Sequence, residues 1–220
     1  NDSKPIGIDI EKISNKISKI KHKFCDAKEL FELNNIDSNE IEHIIVDDAS
    51  TDESRYILEK YDELKVVYNE NNLGLPSSLN KALRLAKGRF IVRLDSDDYL
   101  ARTFVYIHKM FLQYNTHFDA VCSDYFLVSD GEENFDRRFA INDFIACGIF
   151  YRKEVLFDLG LYNEEFKFRE GHELNERFEK NGYLKGFSGF PLYKYRMHDN
   201  NRSNSHEISE YDKKLKRNIK

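Results

Sequence analysis

No tryptophan occurs in this chain of 220 residues, and prolines and cysteines number only three each. The cysteines, Cys25, Cys122 and Cys147, lie far apart. They build neither a metal-binding spacing nor a disulfide framework, which points to a reducing compartment. No stretch reaches the roughly 20 apolar residues of a membrane span, and no signal-peptide pattern opens the chain. With so few prolines and no low-complexity run, no obvious linker divides it. A surplus of positive charge is missing as well: 34 Lys and Arg against 39 Asp and Glu leave a net charge of −5. General nucleic-acid binding rests on a basic excess, so no nucleic-acid partner is expected. The expected location is cytoplasmic.

What is present is an alternation of apolar strand patterns and helical stripes. Hydrophobic residues make up 40% of the chain, enough for the packed core of one sizeable α/β domain or two small ones. "KPIGIDI" reads as a short strand, and Ile13, Ile17, Ile20 and Phe24 follow at helical spacing. "IEHIIV" (41–46) is an apolar strand ending at Asp47 and Asp48, with Ser50 or Thr51 offered as the cap of a helix through about Tyr61. "LKVVYN" (64–69) is a further strand. Leu75, Leu79, Ala82, Leu83 and Ala86 form a helical stripe closed by Gly88. "RFIVRL" (89–94) is a strand, a helix is expected near 102–114, and "FDAVCSDYFLVSD" (118–130) reads as one longer or broken strand. Helices near 152–159 and 172–181 precede short strands, and the basic tail "YDKKLKRNIK" has a helical look. Such alternation predicts a mainly parallel central sheet flanked by helices, with ligands bound beyond the carboxyl ends of the strands.

Two strands end in acids at that edge, "IIVDD" and "IVRLDSDD". Asp is favoured in turns and at helix caps, which accounts for one Asp per strand. It does not account for Asp95, Asp97 and Asp98 within four residues, whose mutual repulsion calls for a positive partner. Hard carboxylate oxygens suit Mg²⁺ or Mn²⁺, and such a metal keeps open positions for phosphate oxygens. A clamped diphosphate is a stabilised leaving group. The pattern therefore points to a nucleotide-linked substrate whose diphosphate departs.

"HIIVDDASTDES", "NENNLGLPSSLNKALRLAKGRFIVRLDSDDYL" and "GHELNERFEKNGYLKGFSGFPLYKYRMHDNN" resemble, in order and at plausible spacing, successive blocks of the family-two glycosyltransferases. The resemblance covers roughly residues 41–204. It implies a GT-A fold and a metal-dependent transfer of a sugar from a nucleotide-diphospho-sugar, a UDP-sugar by preference, to a glycan or lipid-linked acceptor in cell-surface polysaccharide synthesis, with inversion. By the same resemblance Asp48, with Asp47 beside it, faces the base and ribose. Asp95 and Asp97 supply the Asp-x-Asp signature, and Asp97 and Asp98 stand at the ribose, diphosphate and metal. "NLGLPSSLN" lines the nucleotide pocket, with Gly74 permitting close backbone approach. The implied cofactor is Mn²⁺ or Mg²⁺.

Inverting members need a general base for the acceptor hydroxyl, and in the family it often sits in an acidic pair before a late helix. Here that stretch is "FREGHELNERF". Glu170 resembles the first acid of the pair, while Gly171 stands where an Asp is frequent. Glu170 is the first candidate, then Glu173 or His172. A helix N-terminus favours acids through its dipole whether or not they react. In "YKYRMHDNNRS", Arg196 and His198 resemble late residues near the diphosphate, and His198 can complete a metal shell. His22, His43, His108, His117 and His206 have no comparable context and read as structural or surface residues. Cys147 reads as a small buried residue.

The N-terminus departs from the family, whose apolar first strand and following turn are not recognisable. "KPIGIDIEKISNKISKIKHKF" instead resembles part of a phosphopantetheinyl transferase (about 4–34), which would make Asp9 and Glu11 metal ligands. Residues two apart on a strand share a face in any case, and that family's later Trp-x-x-Lys-Glu segment cannot exist in a chain without Trp. "IGIDI" lies about the usual family distance before "HIIVDD" and is expected to stand in for the missing strand; the other account is an unrelated N-terminal sequence joined to an incomplete transferase, which would weaken nucleotide binding. The organisation reads as an atypical strand–helix segment (1–40), a transferase domain (41–205) and a basic tail (206–220). The tail offers peripheral contact with the inner face of a membrane through Lys213, Lys214, Lys216, Arg217 and Lys220. The alternative function is a catalytically silent sugar-nucleotide or glycan-binding module of the same fold.

Overall fold

A computed structural model describes residues 5–10, 41–62, 64–129, 135–198, 201 and 208–218. The helical stripe expected from Ile13 to Phe24, and Glu11 with it, lie outside these residues. Strand β1 (Pro5–Ile10) lies between β2 (Glu42–Asp47) and β4 (Phe90–Leu94), parallel to both, and β3 (Lys65–Tyr68) continues the parallel set beside β2. "IGIDI" thus occupies the central position expected of a first strand, with Ile8 in register with both Ile44 and Arg93. Its Asp9 is level with Ile45 and Leu94, so β1, β2 and β4 end at one common edge.

Beyond β4 the pairing is mixed. β8 (Phe150–Arg152) runs antiparallel to β4 and to β6 (Ala120–Ser129). β9 (Lys185–Met197) is parallel to β6, while β5 (Tyr99–Leu100) and β7 (Phe135–Arg138) pair antiparallel with β9 and β6. The expected short strands after residue 183 are one 13-residue strand. Its register against β6 shifts around Asp124, and Gly189 takes φ +71° there. The bulge interrupts the period of two, which is why the segment reads as pieces.

Residues alternate across β4: Ile91 joins one apolar cluster with Ile44, Val46, Leu79, Leu83 and Phe178, whereas Phe90 and Val92 join another with Phe104, Leu112 and Phe150. Helices therefore cover both faces, as in other parallel sheets. Helix α1 (Ser54–Leu58) starts later than expected. The backbone amide of Ser50 donates to Asp47 Oδ1 (3.2 Å), and Asp52 rather than Ser50 or Thr51 receives the Ser54 amide (3.0 Å). Helix α2 (Leu75–Leu85) carries the expected stripe but ends at Ala86, in extended backbone, instead of at Gly88. Lysines do the terminating: Lys65 Nζ donates to the Leu85 carbonyl and Lys153 Nζ to that of Ala86. Helix α3 (Phe104–Tyr114) packs on the second cluster, α4 (Lys153–Asp158) on the first, and α5 (Glu170–Lys180) carries Leu174 and Phe178 into the first. Helix α6 (Ile208–Asn218) buries Tyr211 and Leu215 against Phe166. Among the described residues no helix is long and apolar enough to cross a membrane.

Candidate functional site

The common edge where β2 and β4 end is built from acids, and each has a defined partner. Asp47, fully buried at the end of β2, accepts from Arg55 Nε (2.7 Å), and Arg55 also donates to the Asn69 carbonyl. Asp48 accepts the backbone amides of Leu73 and Gly74 (both 2.8 Å) and the side-chain amide of Asn69 (2.8 Å). These bonds tie the end of β2 to the turn that starts α2. Gly74 has φ +86°, which side-chain-bearing residues rarely adopt, and its amide faces Asp48. Ala49 adopts φ +59° just after Asp48, so the backbone is held in an uncommon conformation beside the acids.

At the end of β4, Arg93 answers part of the charge question posed by "LDSDD". Its guanidinium makes a two-pronged pair with Asp95 (2.5 and 2.8 Å) and a third bond to Glu170 Oε1 (2.8 Å). Burial works against its charge, but Asp95 and Glu170 outweigh it, and the group titrates well above its ordinary value. Asp95, expected at the nucleotide, is thus joined through Arg93 to Glu170 from a segment far along the chain. The sequence reading overlooked Arg93. The signal was an arginine inside an otherwise apolar strand, which is costly unless it is paired.

Asp97 Oδ2 lies 2.8 Å from His198 Nε2, both side chains about a tenth exposed. Asp98 points inward. Its Oδ1 accepts the Arg196 amide (2.9 Å), and its Oδ2 accepts the Tyr193 hydroxyl (2.6 Å) and the Cys147 thiol (3.6 Å). Burial first, then Asp97 and Asp95, pushes its carboxyl well above the usual carboxylate range. The structure therefore brings Asp95, Asp97, Asp98, Glu170, Arg196 and His198 together. Glu173 is directed elsewhere: it forms a two-pronged pair with Arg177 (2.7 Å each), whose guanidinium also caps the carbonyls of Leu159 and Leu161. His172 stacks loosely on Phe144, and burial, then Arg169, lowers its imidazole from the ordinary value. At Gly171 a Cβ would sit 2.2 Å from the Ala146 Cβ, so α5 packs too closely for any side chain there.

These donors differ in how they suit a divalent cation. Asp97 and His198 offer a carboxylate and an imidazole already in contact, a pairing Mn²⁺ accepts. Asp98 suits it poorly, because both oxygens take protein hydrogen bonds and burial favours the neutral acid. Potential ligand atoms of Asp95, Asp98 and Cys147 lie within 4.8 Å of one another. Burial, then Asp95 and Asp98, raises the Cys147 thiol well above its ordinary value, and a protonated thiol is no ligand for a hard cation.

The family described as Glycosyl transferase family 2 matches residues 26–178. An uncharacterized glycosyltransferase of Haemophilus influenzae is 26% identical over 205 residues, 80% of this chain and 63% of that protein. The Escherichia coli UDP-Glc:alpha-D-GlcNAc-diphosphoundecaprenol beta-1,3-glucosyltransferase WfaP is 38% identical over 87 residues, 36% of this chain and 35% of its own. A crystal structure of Staphylococcus aureus TarS 1–349 in complex with UDP-GlcNAc superposes with a TM-score of 0.73 at 24% identity, over 92% of this chain and 61% of that one. At that identity the likeness shows the fold alone. The chain spans less than two thirds of each of these proteins.

Proposed function

The chain belongs to glycosyl transferase family 2, and from that premise we propose that it transfers a sugar from a UDP-sugar to a hydroxyl of a glycan or lipid-linked acceptor. The product belongs to a cell-surface polysaccharide. WfaP is named for a UDP-Glc donor and a diphosphoundecaprenol acceptor, and the TarS crystals hold UDP or UDP-GlcNAc, which supports the choice of donor and acceptor class. The observation that carries the reading is the convergence of Asp95, Asp97 and Glu170, through Arg93 and His198, on the carboxyl edge of β4.

In this reaction the acceptor oxygen bonds to the anomeric carbon, the bond from that carbon to the diphosphate breaks, and UDP departs with the bonding pair. Glu170 takes the acceptor proton, directly or through one water. Its Oε1 is fixed by Arg93, and among the described residues Oε2 accepts no hydrogen bond. Attack opposite the leaving group gives inversion. Asp97 and His198 would hold Mn²⁺ or Mg²⁺, whose charge would offset that developing on the diphosphate. Asp48 serves the nucleotide by holding the Leu73–Gly74 turn in place.

A thermal-shift screen of nucleotide-sugars, with and without Mn²⁺, tests the donor and the metal together. A UDP-sugar should raise the unfolding midpoint, and more so with Mn²⁺. No shift with any donor in either condition would overturn the reading. Glu170→Gln should lower turnover by about 10²–10⁴ while donor affinity is kept. Glu173→Gln should cost stability through Arg177 and leave turnover near that of the parent. One observation favours a second reading, a binding module without turnover: Gly171 leaves no room for the acid that the family resemblance implies there. Donor binding with no UDP release in the parent protein would select it.

A further inference from the structure

We propose that helix α6 is a latch that positions Glu170, acting through Asp212 and Tyr211 on the turn before α5. The proposal rests on Glu170 as the base. That turn is unusual, since Arg169, next to Glu170, takes φ +62° and ψ 17° in the left-handed region. A side-chain-bearing residue rarely stays there unless its surroundings hold it. Among the described residues no side chain caps α5 at this point.

The surroundings come from α6. Arg169 Nε donates to Asp212 Oδ1 at 2.8 Å. The rings of Phe166 and Phe168 lie 6.0 and 5.6 Å from that of Tyr211, and Tyr211 and Leu215 are buried in the same cluster. The residues that lead into Glu170 are thus gripped by one face of a helix 40 residues further along the chain. From the other side Arg93 holds the Glu170 carboxylate against the acids of β4. The start of α5 is consequently held from two sides: Arg169 by α6 and Glu170 by β4. If Arg169 relaxes to an ordinary conformation, the direction in which α5 leaves the turn changes, and Glu170 is carried off the Arg93–Asp95 edge. Asp212 and Tyr211 touch neither donor nor acceptor in this scheme; they are positioning residues.

The test uses the full chain and two readouts, one of which needs no turnover. Amide hydrogen exchange at residues 170–174 should speed up about threefold or more in Asp212→Ala, which removes the acceptor for Arg169, while amides of β2 and β4 keep their protection. UDP release from the donor selected by the thermal-shift screen should show a kcat lowered about 10- to 100-fold with KM for donor unchanged. Glycine adopts the left-handed region without penalty. Adding Arg169→Gly to Asp212→Ala should therefore return both kcat and protection toward the parent, a rescue that general loss of stability would not allow. Tyr211→Ala should repeat the Asp212→Ala phenotype. Unchanged exchange in Asp212→Ala, which removes the acceptor for Arg169 Nε, overturns the latch, whatever the activity. Faster exchange with unchanged kcat, or no rescue by Arg169→Gly, overturns the positioning role. A parent that binds donor but has no turnover removes the base on which that role rests, while the exchange data still decide whether α6 holds the turn.

Discussion

Arg93 is a buried cation whose three nitrogens each face an acid oxygen, two on Asp95 and one on Glu170. Arg93→Met would strip the countercharge from two carboxylates at once. Loss of one partner of a buried pair costs about 3–5 kcal/mol, so urea denaturation should show a loss of that order. Arg93→Lys should fall between, because an ammonium cannot span both acids as a planar fork does. Asp48→Ala removes the acceptor for two backbone amides and for Asn69. Titration should show donor affinity falling more than kcat, since the contact lies away from the reacting bond. Part of the site could be read from residue types: Asp48, Asp95 and Asp97 follow strands β2 and β4 at the edge where such sheets bind ligands, and Glu170 and His198 meet them there through Arg93 and Asp97. What could not be read was how the acids divide their partners. Asp97 and Asp98 are neighbours, yet one meets His198 near the surface and the other Tyr193 in the interior. That choice depends on where β9 lies beside β5, a pairing almost a hundred residues apart.

Among the elements, α3 shows a cost hidden inside the core. His108 is fully buried, and neither ring nitrogen has a hydrogen-bond partner among the described residues. Its ring meets Phe104 edge-on at 4.2 Å. Burial lowers its pKa from 6.5 to about 3. Because the folded value is depressed, its full stability contribution is present above pH 6.5 and is lost as pH falls from there toward about 3. At pH 5 the loss is about 2 kcal/mol. His108→Leu should be more stable by about 1–3 kcal/mol even at neutral pH, having no buried nitrogens to leave unsatisfied. Thermal melts should also show a flatter acid limb for the variant between pH 6.5 and 5. The helix itself was legible from its apolar content. The state of His108 was not, because exposure depends on which face meets β8. The same limit explains β5, β7 and β8, strands of two to four residues that the sequence reading did not foresee. So short a run carries no period, and only its partner strand defines it.

Across the whole molecule, β1 joins two halves of the sheet that do not pair with each other: β2 and β3 on one side, β4 and the mixed strands on the other. Its place was inferred from one feature, an apolar segment at a suitable distance before "HIIVDD", although its sequence departs from the family's opening strand. Position in the sheet needs alternating backbone bonds and apolar faces, which many sequences satisfy. A chain lacking residues 1–11 should therefore lose cooperative urea unfolding, as followed by circular dichroism. The arrangement also bears on the order of events in folding. β2 with β3 can assemble from nearby segments, but the sheet stays open until the first strand enters between β2 and β4. Its ladder with β4 closes a stretch of more than eighty residues, a slow class of contact to form. Strand insertion is thus expected among the slow steps, beside the β5–β9 pairing that closes a still longer stretch. A synthetic peptide of residues 1–11 added to the truncated chain should restore cooperative unfolding at a rate that rises with peptide concentration.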